Sequence, residues 1–108
     1  MFEPKWELRV SNDQYDIWDC RVSGQVISIT HLKAHQQTNG HEHPNYELYT
    51  VLSGKSQLIT GASSWQLTPD NGVHSVYSIV PNAFHQVVNH SDKPAEFLCL
   101  YKDTKCKK

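Results

Sequence analysis

Hydrophobic and polar residues alternate along much of this chain. From Lys5 to Val10, Trp6, Leu8 and Val10 fall on one side and Lys5, Glu7 and Arg9 on the other, the period-two pattern of a half-buried strand. Segments of similar character follow at Ile17–Val22, Gln25–Lys33, Tyr46–Leu52, Ser56–Thr60, Ser64–Thr68, Val73–Val80, Phe84–Asn89 and Ala95–Tyr101. Turn-forming residues separate them: Ser23-Gly24, Ser53-Gly54, Gly61-Ala62-Ser63, Pro69-Asp70-Asn71-Gly72 and the stretch from Asn89 to Pro94. No long window keeps apolar residues at i, i+3, i+4 and i+7, so no long helix is expected. Short strands with frequent turns predict an all-β sandwich or barrel.

Length and charge narrow the classes. The 108 residues suit one domain, expected over 1–108, with a tail at 102–108 carrying four lysines and fraying into solvent. Ten Lys and Arg against eleven Asp and Glu leave a net charge of −1, so no broad positive field exists to hold nucleic acid. The longest apolar run, Phe97 to Tyr101, falls far short of the ~20 residues of a membrane span. The opening MFEPKWELRV lacks a cationic flank followed by an apolar stretch, so no secretory signal is expected. Cys20, Cys99 and Cys106 are odd in number and show no C-x-x-C spacing. They read as reduced thiols of a cytoplasmic protein rather than as a disulfide framework or thiolate zinc site.

Histidine changes the picture, with seven in so short a chain. His41 and His43 project from one face of an extended backbone, and Glu47 shares their parity. Pro44 and Asn45 bend the segment between them and bring the carboxylate round to the imidazoles. Borderline divalent metals (Fe, Mn, Ni, Zn or Cu) accept such mixed nitrogen and oxygen sets. An H-x-H pair alone is expected about 0.45 times by chance at this histidine frequency, whereas requiring Glu47 and Gly54 at their offsets lowers that to roughly one in a thousand. A further ligand is expected from VPNAFHQVVN at 80–89, where His85, Val87 and Asn89 share one strand face and Pro81 ends the preceding loop. Three imidazoles and one carboxylate leave room on a metal for water, dioxygen or a chelating substrate.

The two segments resemble the paired signature motifs of the cupin superfamily, small double-stranded β-helix (jelly-roll) barrels. In the first, one residue separates His41 from His43, three precede Glu47 and six precede Gly54; His35 stands where a glycine is usual. In the second, Pro81, His85 and Asn89 match, Ala83 and Ser75 replace glycines, and the Pro-to-His interval is one residue short. The resemblance covers about residues 25–101. It implies an all-β, cupin-type jelly-roll barrel with one divalent transition metal on His41, His43, Glu47 and His85. It also implies a homodimer that exchanges or pairs edge strands, for which Lys5–Val10 is the candidate.

Other side chains carry two readings each. Tyr49 shares parity with Glu47 and is a catalytic acid/base or orienting group, or else a core tyrosine with a satisfied hydroxyl. His31, on one face with Ile27 and Ile29, lines the cavity as a second catalytic candidate or is a hydrogen-bonded structural histidine. Tyr77, Trp65 and Phe84 form aromatic walls of the cavity or pack the core. Glu42 points away from its flanking imidazoles, and His35, His74 and His90 lie near turns, exposed. Gln36 to Gly40 reads as a polar loop at the barrel mouth. Two functions follow: a metal-dependent enzyme acting on a small molecule, or a non-catalytic module that binds or senses a carbohydrate or other metabolite. The enzyme would be dioxygenase-like, or an isomerase or lyase with the metal as Lewis acid. A purely structural barrel would leave the four ligands unexplained.

Overall fold

The computed structural model of the protein describes residues 5–69 and 76–103. Every regular element among them is a strand: β1 (Glu7–Ser11), β2 (Tyr15–Val22), β3 (Gln25–Leu32), β4 (Glu47–Ser53), β5 (Ser56–Thr60), β6 (Ser63–Leu67), β7 (Val76–Ile79), β8 (His85–Val88) and β9 (Ala95–Lys102). They form two antiparallel sheets, one of six strands in the order β1-β2-β3-β9-β4-β7 and one of three in the order β6-β5-β8. The fold is the expected all-β jelly roll. No helix among the described residues is long and apolar enough to cross a membrane. His74, Cys106 and most of the turn expected at 69–72 lie outside the described residues.

Between the sheets lies a core that includes Leu32, Val51, Leu58, Leu67, Ile79, Val87 and Phe97. Each of the fully buried leucines contributes on the order of 2–3 kcal/mol relative to exposure. Asn89 closes one end of this core. Its amide donates to the carbonyls of Leu32, Lys33 and Lys93 at 3.3, 3.2 and 2.8 Å, and its Oδ1 accepts from Ser91 N at 2.9 Å. That buried side chain ties the ends of β3 and β8 to the loop that enters β9. Gly54, in the β4–β5 turn, has φ +78, and a Cβ there would meet the Pro94 carbonyl oxygen at 2.6 Å. Both the left-handed backbone and the close approach exclude a side chain.

The structure corrects three expectations. In β3 it is Val26, Ser28, Thr30 and Leu32 that are buried, while Ile27, Ile29 and His31 face out. Apolar residues stand on both faces of this strand, so alternation alone does not tell inside from outside. In β1, Leu8 pairs with Trp18 and Val10 with Ile17, and the register shifts between Leu8 and Val10. This bulge reverses the parity, so Val10 packs against the core while Leu8 and Trp6 are exposed. Finally, the ordered fold extends past Tyr101. Lys102 ends β9, and Asp103 is buried, its amide donating to Gly24 O at 2.9 Å and its carboxylate pairing with Arg21 Nε at 3.0 Å.

Candidate metal centre

Backbone pairing brings the histidines together. The stretch ahead of His43 runs antiparallel to β8 through isolated bridges at Gln37–Val88 and His41–His85. The chain bends at residues 44–45, where Asn82 N donates to His43 O at 2.7 Å, and β4 begins at Glu47. The ligand atoms of His41, His43, Glu47 and His85 consequently lie within 4.8 Å of one another. Glu47 Oε1 stands 2.8 Å from His43 Nε2 and 3.1 Å from His85 Nε2. Those separations lie near the ~3.0 Å between neighbouring ligand atoms each ~2.1 Å from one octahedral ion, a tetrahedral ion setting them ~3.4 Å apart. Glu47 and His85 are buried, His43 is half-buried and His41 is exposed.

The outer nitrogens set the tautomers. Nδ1 of His41 lies 3.4 Å from Asn39 O, that of His43 3.1 Å from Asn45 O, and that of His85 3.0 Å from Ala83 O. A carbonyl only accepts, so in the neutral ring each Nδ1 carries the proton and each Nε2 turns a lone pair inward. His85 Nε2 is fully buried and, despite its nearness to Glu47, lacks hydrogen-bond geometry to any group. A buried nitrogen left this way is costly unless something else meets it. A divalent cation fits that need and the donor set.

Electrostatics point the same way. Burial opposes ionisation of Glu47, but its contacts with His85 and His43 outweigh it and hold the carboxyl below its usual pKa. Burial and the neighbouring His85 push His41 down. At His85, burial works downward, yet the contacts to Glu47 and Ala83 O raise its pKa.

The site opens into a cavity of about 280 Å³ that His41, His43, Glu47 and Tyr49 line on one side and Arg9, Ser28 and Thr30 on another. Thr38 and Asn39 also line it, which fits the expected polar loop at the mouth. Tyr49 is buried, stacked on Phe97 with ring centroids 5.5 Å apart. Burial, then the neighbouring Cys99 and Glu47, push its phenol well above its ordinary pKa. His31 does not reach the cavity. It lies on the outer face of β3, its Nδ1 3.3 Å from Glu96 Oε2, which corrects the expectation that it lines the site. Tyr77, Trp65 and Phe84 border a separate apolar groove with Leu58 and Val76. Glu42, His35 and His90 are exposed as expected; His35 pairs with Asp92 at 2.7 Å and His90 with Gln57 at 3.1 Å.

Sequence reasoning missed Arg9, Ser28, Thr30, Cys99 and Tyr101 as cavity residues. Ser28 and Thr30 had a signal, two hydroxyls flanked by Val26 and Leu32 on one strand face. Arg9 had none: apolar parity puts it on the polar side with Lys5 and Glu7, and only pairing with β2 shows that this side faces in ahead of the bulge.

The sequence profile of a family described as "Cupin domain" matches residues 28–101. No curated protein sequence matches the chain. Among solved structures, AerE from Microcystis aeruginosa superposes with a TM-score of 0.83 at 18% identity, covering 94% of this chain and 47% of AerE. This chain thus spans about half of AerE's length. TT1209 from Thermus thermophilus gives 0.75 at 21% identity over 88% of this chain and 89% of its own. A cupin 2 conserved barrel domain protein from Salinispora arenicola gives 0.74 at 18% identity, covering 92% and 83%. These likenesses are of fold.

Proposed function

This chain belongs to the cupin domain family, and on that premise we propose that it is a metal-dependent enzyme acting on a small molecule in its barrel cavity. One observation carries the reading: three inward Nε2 lone pairs and an ionised carboxylate converge beside an open cavity. A structural metal site is closed by its ligands, whereas a site bordered by free volume leaves a position for substrate. A divalent transition metal on His41, His43, Glu47 and His85 would supply Lewis-acid or redox chemistry there.

The chain's own groups suit proton movement. Tyr49 keeps its hydroxyl proton through neutrality and borders the same cavity as Glu47. It can therefore donate a hydrogen bond, or a proton, to a substrate oxygen that gains charge. Phe97, Val10 and Ile17 wall the cavity with apolar surface that limits water. These features favour an isomerase- or lyase-type reaction over dioxygenation. Free, buried Cys20 and Cys99 fit a reducing, cytoplasmic setting.

The test is elemental analysis of protein purified without added metal, followed by mass spectrometry of small-molecule mixtures incubated with the loaded protein and monitoring of dissolved oxygen. Conversion without oxygen uptake supports the reading. Oxygen uptake transfers it to the dioxygenase type, and binding without conversion transfers it to a non-catalytic binding module.

We also infer a homodimer formed through the outer face of the larger sheet. Leu8, Trp18, Ile29 and Leu98 follow one another across β1, β2, β3 and β9, and Leu48 and Leu100 lie alongside. Leu8, Trp18 and Leu48 are 49%, 42% and 38% exposed, an apolar surface that a second copy would cover. At strand spacings the face offers on the order of 600 Å², near the ~800 Å² that each partner of a standard interface buries.

A further inference from the structure

We infer that Arg9 is the anion-binding end of the cavity and that the ligand is a small organic carboxylate, held by Arg9 at one end and reaching the metal site at the other. The inference rests on the metal-dependent reading above and adds the substrate class.

The inward placement of Arg9 at the β1 bulge is the first ground. Leu8 pairs with Trp18 and faces out, so Arg9 faces in as the next residue. The register shift before Val10 turns that residue inward too, so that both border the cavity opposite Ile17. Bulges commonly re-aim a side chain beside a functional site.

The second ground is how the guanidinium is held. Arg9 Nε donates to Asp19 Oδ2 at 2.6 Å, and the other oxygen of Asp19 accepts from Ser28 Oγ at 2.6 Å. Ser28 Oγ in turn lies 3.3 Å from Tyr101 OH. Asp19 is only 3% exposed, so the arginine is fixed by a rigid, buried anchor. The anchor uses Nε and leaves the two Nη groups for another acceptor. A planar guanidinium presents a fork of N–H donors that matches a planar carboxylate. Ser28, Thr30 and Tyr101 line the same cavity and add hydroxyl groups.

Charge is the third ground. Arg9 and Asp19 cancel, so the charge at the metal end of the cavity decides which ligand fits. A divalent cation on three imidazoles and the Glu47 carboxylate would carry one net positive charge, the complement of a monocarboxylate. Metal and anion thus favour each other's binding. The volume limits size: about 280 Å³ corresponds to roughly nine water volumes, enough for a small metabolite.

The test uses zinc-loaded protein and two probes that reach a metal equally: the monohydroxamate of succinic acid, with a free carboxylate at its far end, and its neutral carboxamide counterpart. Titration calorimetry should show the carboxylate probe binding about tenfold or more tightly than the amide. Arg9→Gln should abolish that preference while leaving amide affinity and zinc content unchanged, and Arg9→Lys should restore part of it. Because Arg9→Gln leaves Asp19 unpaired, the Arg9→Gln/Asp19→Asn variant serves as the folded control with the same expected loss. Equal binding of the two probes to the wild type, or a preference that survives in the double variant, overturns the inference alone. A wild type that holds no stoichiometric zinc removes the metal reading and this site together.

Discussion

His41 and His85 exchange both of their backbone hydrogen bonds, the His41 amide to His85 O at 3.1 Å and the His85 amide to His41 O at 3.0 Å. This bridge sets the two imidazole rings 4.3 Å apart, centroid to centroid, before any ion binds. A site preorganised by main-chain bonds keeps its shape when emptied, unlike one that folds around its metal.

The corresponding prediction concerns metal removal. Glu47→Gln or His85→Ala should lower metal affinity by more than a hundredfold, since loss even of a residue that only supports a ligand costs 10–100-fold. The far-ultraviolet circular dichroism of the variants and of chelator-treated wild type should stay that of the loaded protein. Full metal retention in both variants would show that the four residues are not the ligands.

Proton release follows from His85. Its raised pKa means that, from pH 6.5 up to the raised value, the empty site holds a proton on His85 Nε2 beside ionised Glu47, and an incoming cation must displace it. Metal affinity should therefore fall as pH drops through the raised value, by about tenfold per unit for one proton. In the empty protein the sign is opposite: protonated His85 stabilises the fold below its unfolded value of 6.5, and this contribution is lost as pH rises through the raised value. Calorimetry of metal binding in two buffers of different ionisation enthalpy measures the proton count. Identical heats at pH 6.5 would contradict the protonated pair.

Asn89 matches the second motif but takes no part in the metal set. All its hydrogen-bonding groups are spent on Leu32, Lys33, Ser91 and Lys93. Asn89→Ala would leave buried carbonyls without donors, at a cost of about 3 kcal/mol in denaturant-unfolding stability. Metal stoichiometry at saturation should remain that of the wild type, since His85 is positioned by its own bridge to His41. A stable variant with reduced stoichiometry would assign Asn89 to the site instead.

These residues mark where sequence reading succeeds and where it stops. His41, His43 and Glu47 are legible because their geometry is local, two strand positions and one bend. His85 is legible because a second motif carries it. The face that β3 buries is not, since Val26 and Leu32 compete with Ile27 and Ile29, and only pairing with β9 decides between them. Arg9 is hidden for a related reason: Val10 reaches the core only through a one-residue mismatch between β1 and β2, so parity with Val10 wrongly sends Arg9 outward, and that mismatch is a property of two strands in register rather than of either alone. The outward turn of Ile27 and Ile29 is also what leaves the larger sheet with an apolar exterior.

That exterior yields the last prediction. Light scattering should return twice the monomer mass for the wild type. Leu98 sits between Ile29 and Thr50 on the outer face, away from the cavity. Leu98→Lys should place a charge in the middle of the interface and produce a monomer with unchanged metal content, because burying an unpaired charge costs several kcal/mol. Pairing through the edge of β1 would behave differently: Leu98→Lys would leave it intact, whereas Leu8→Pro would weaken the edge by constraining its backbone and removing a donor. A dimer that survives Leu98→Lys but not Leu8→Pro therefore moves the interface to the edge. A monomeric wild type at tens of micromolar removes it from both.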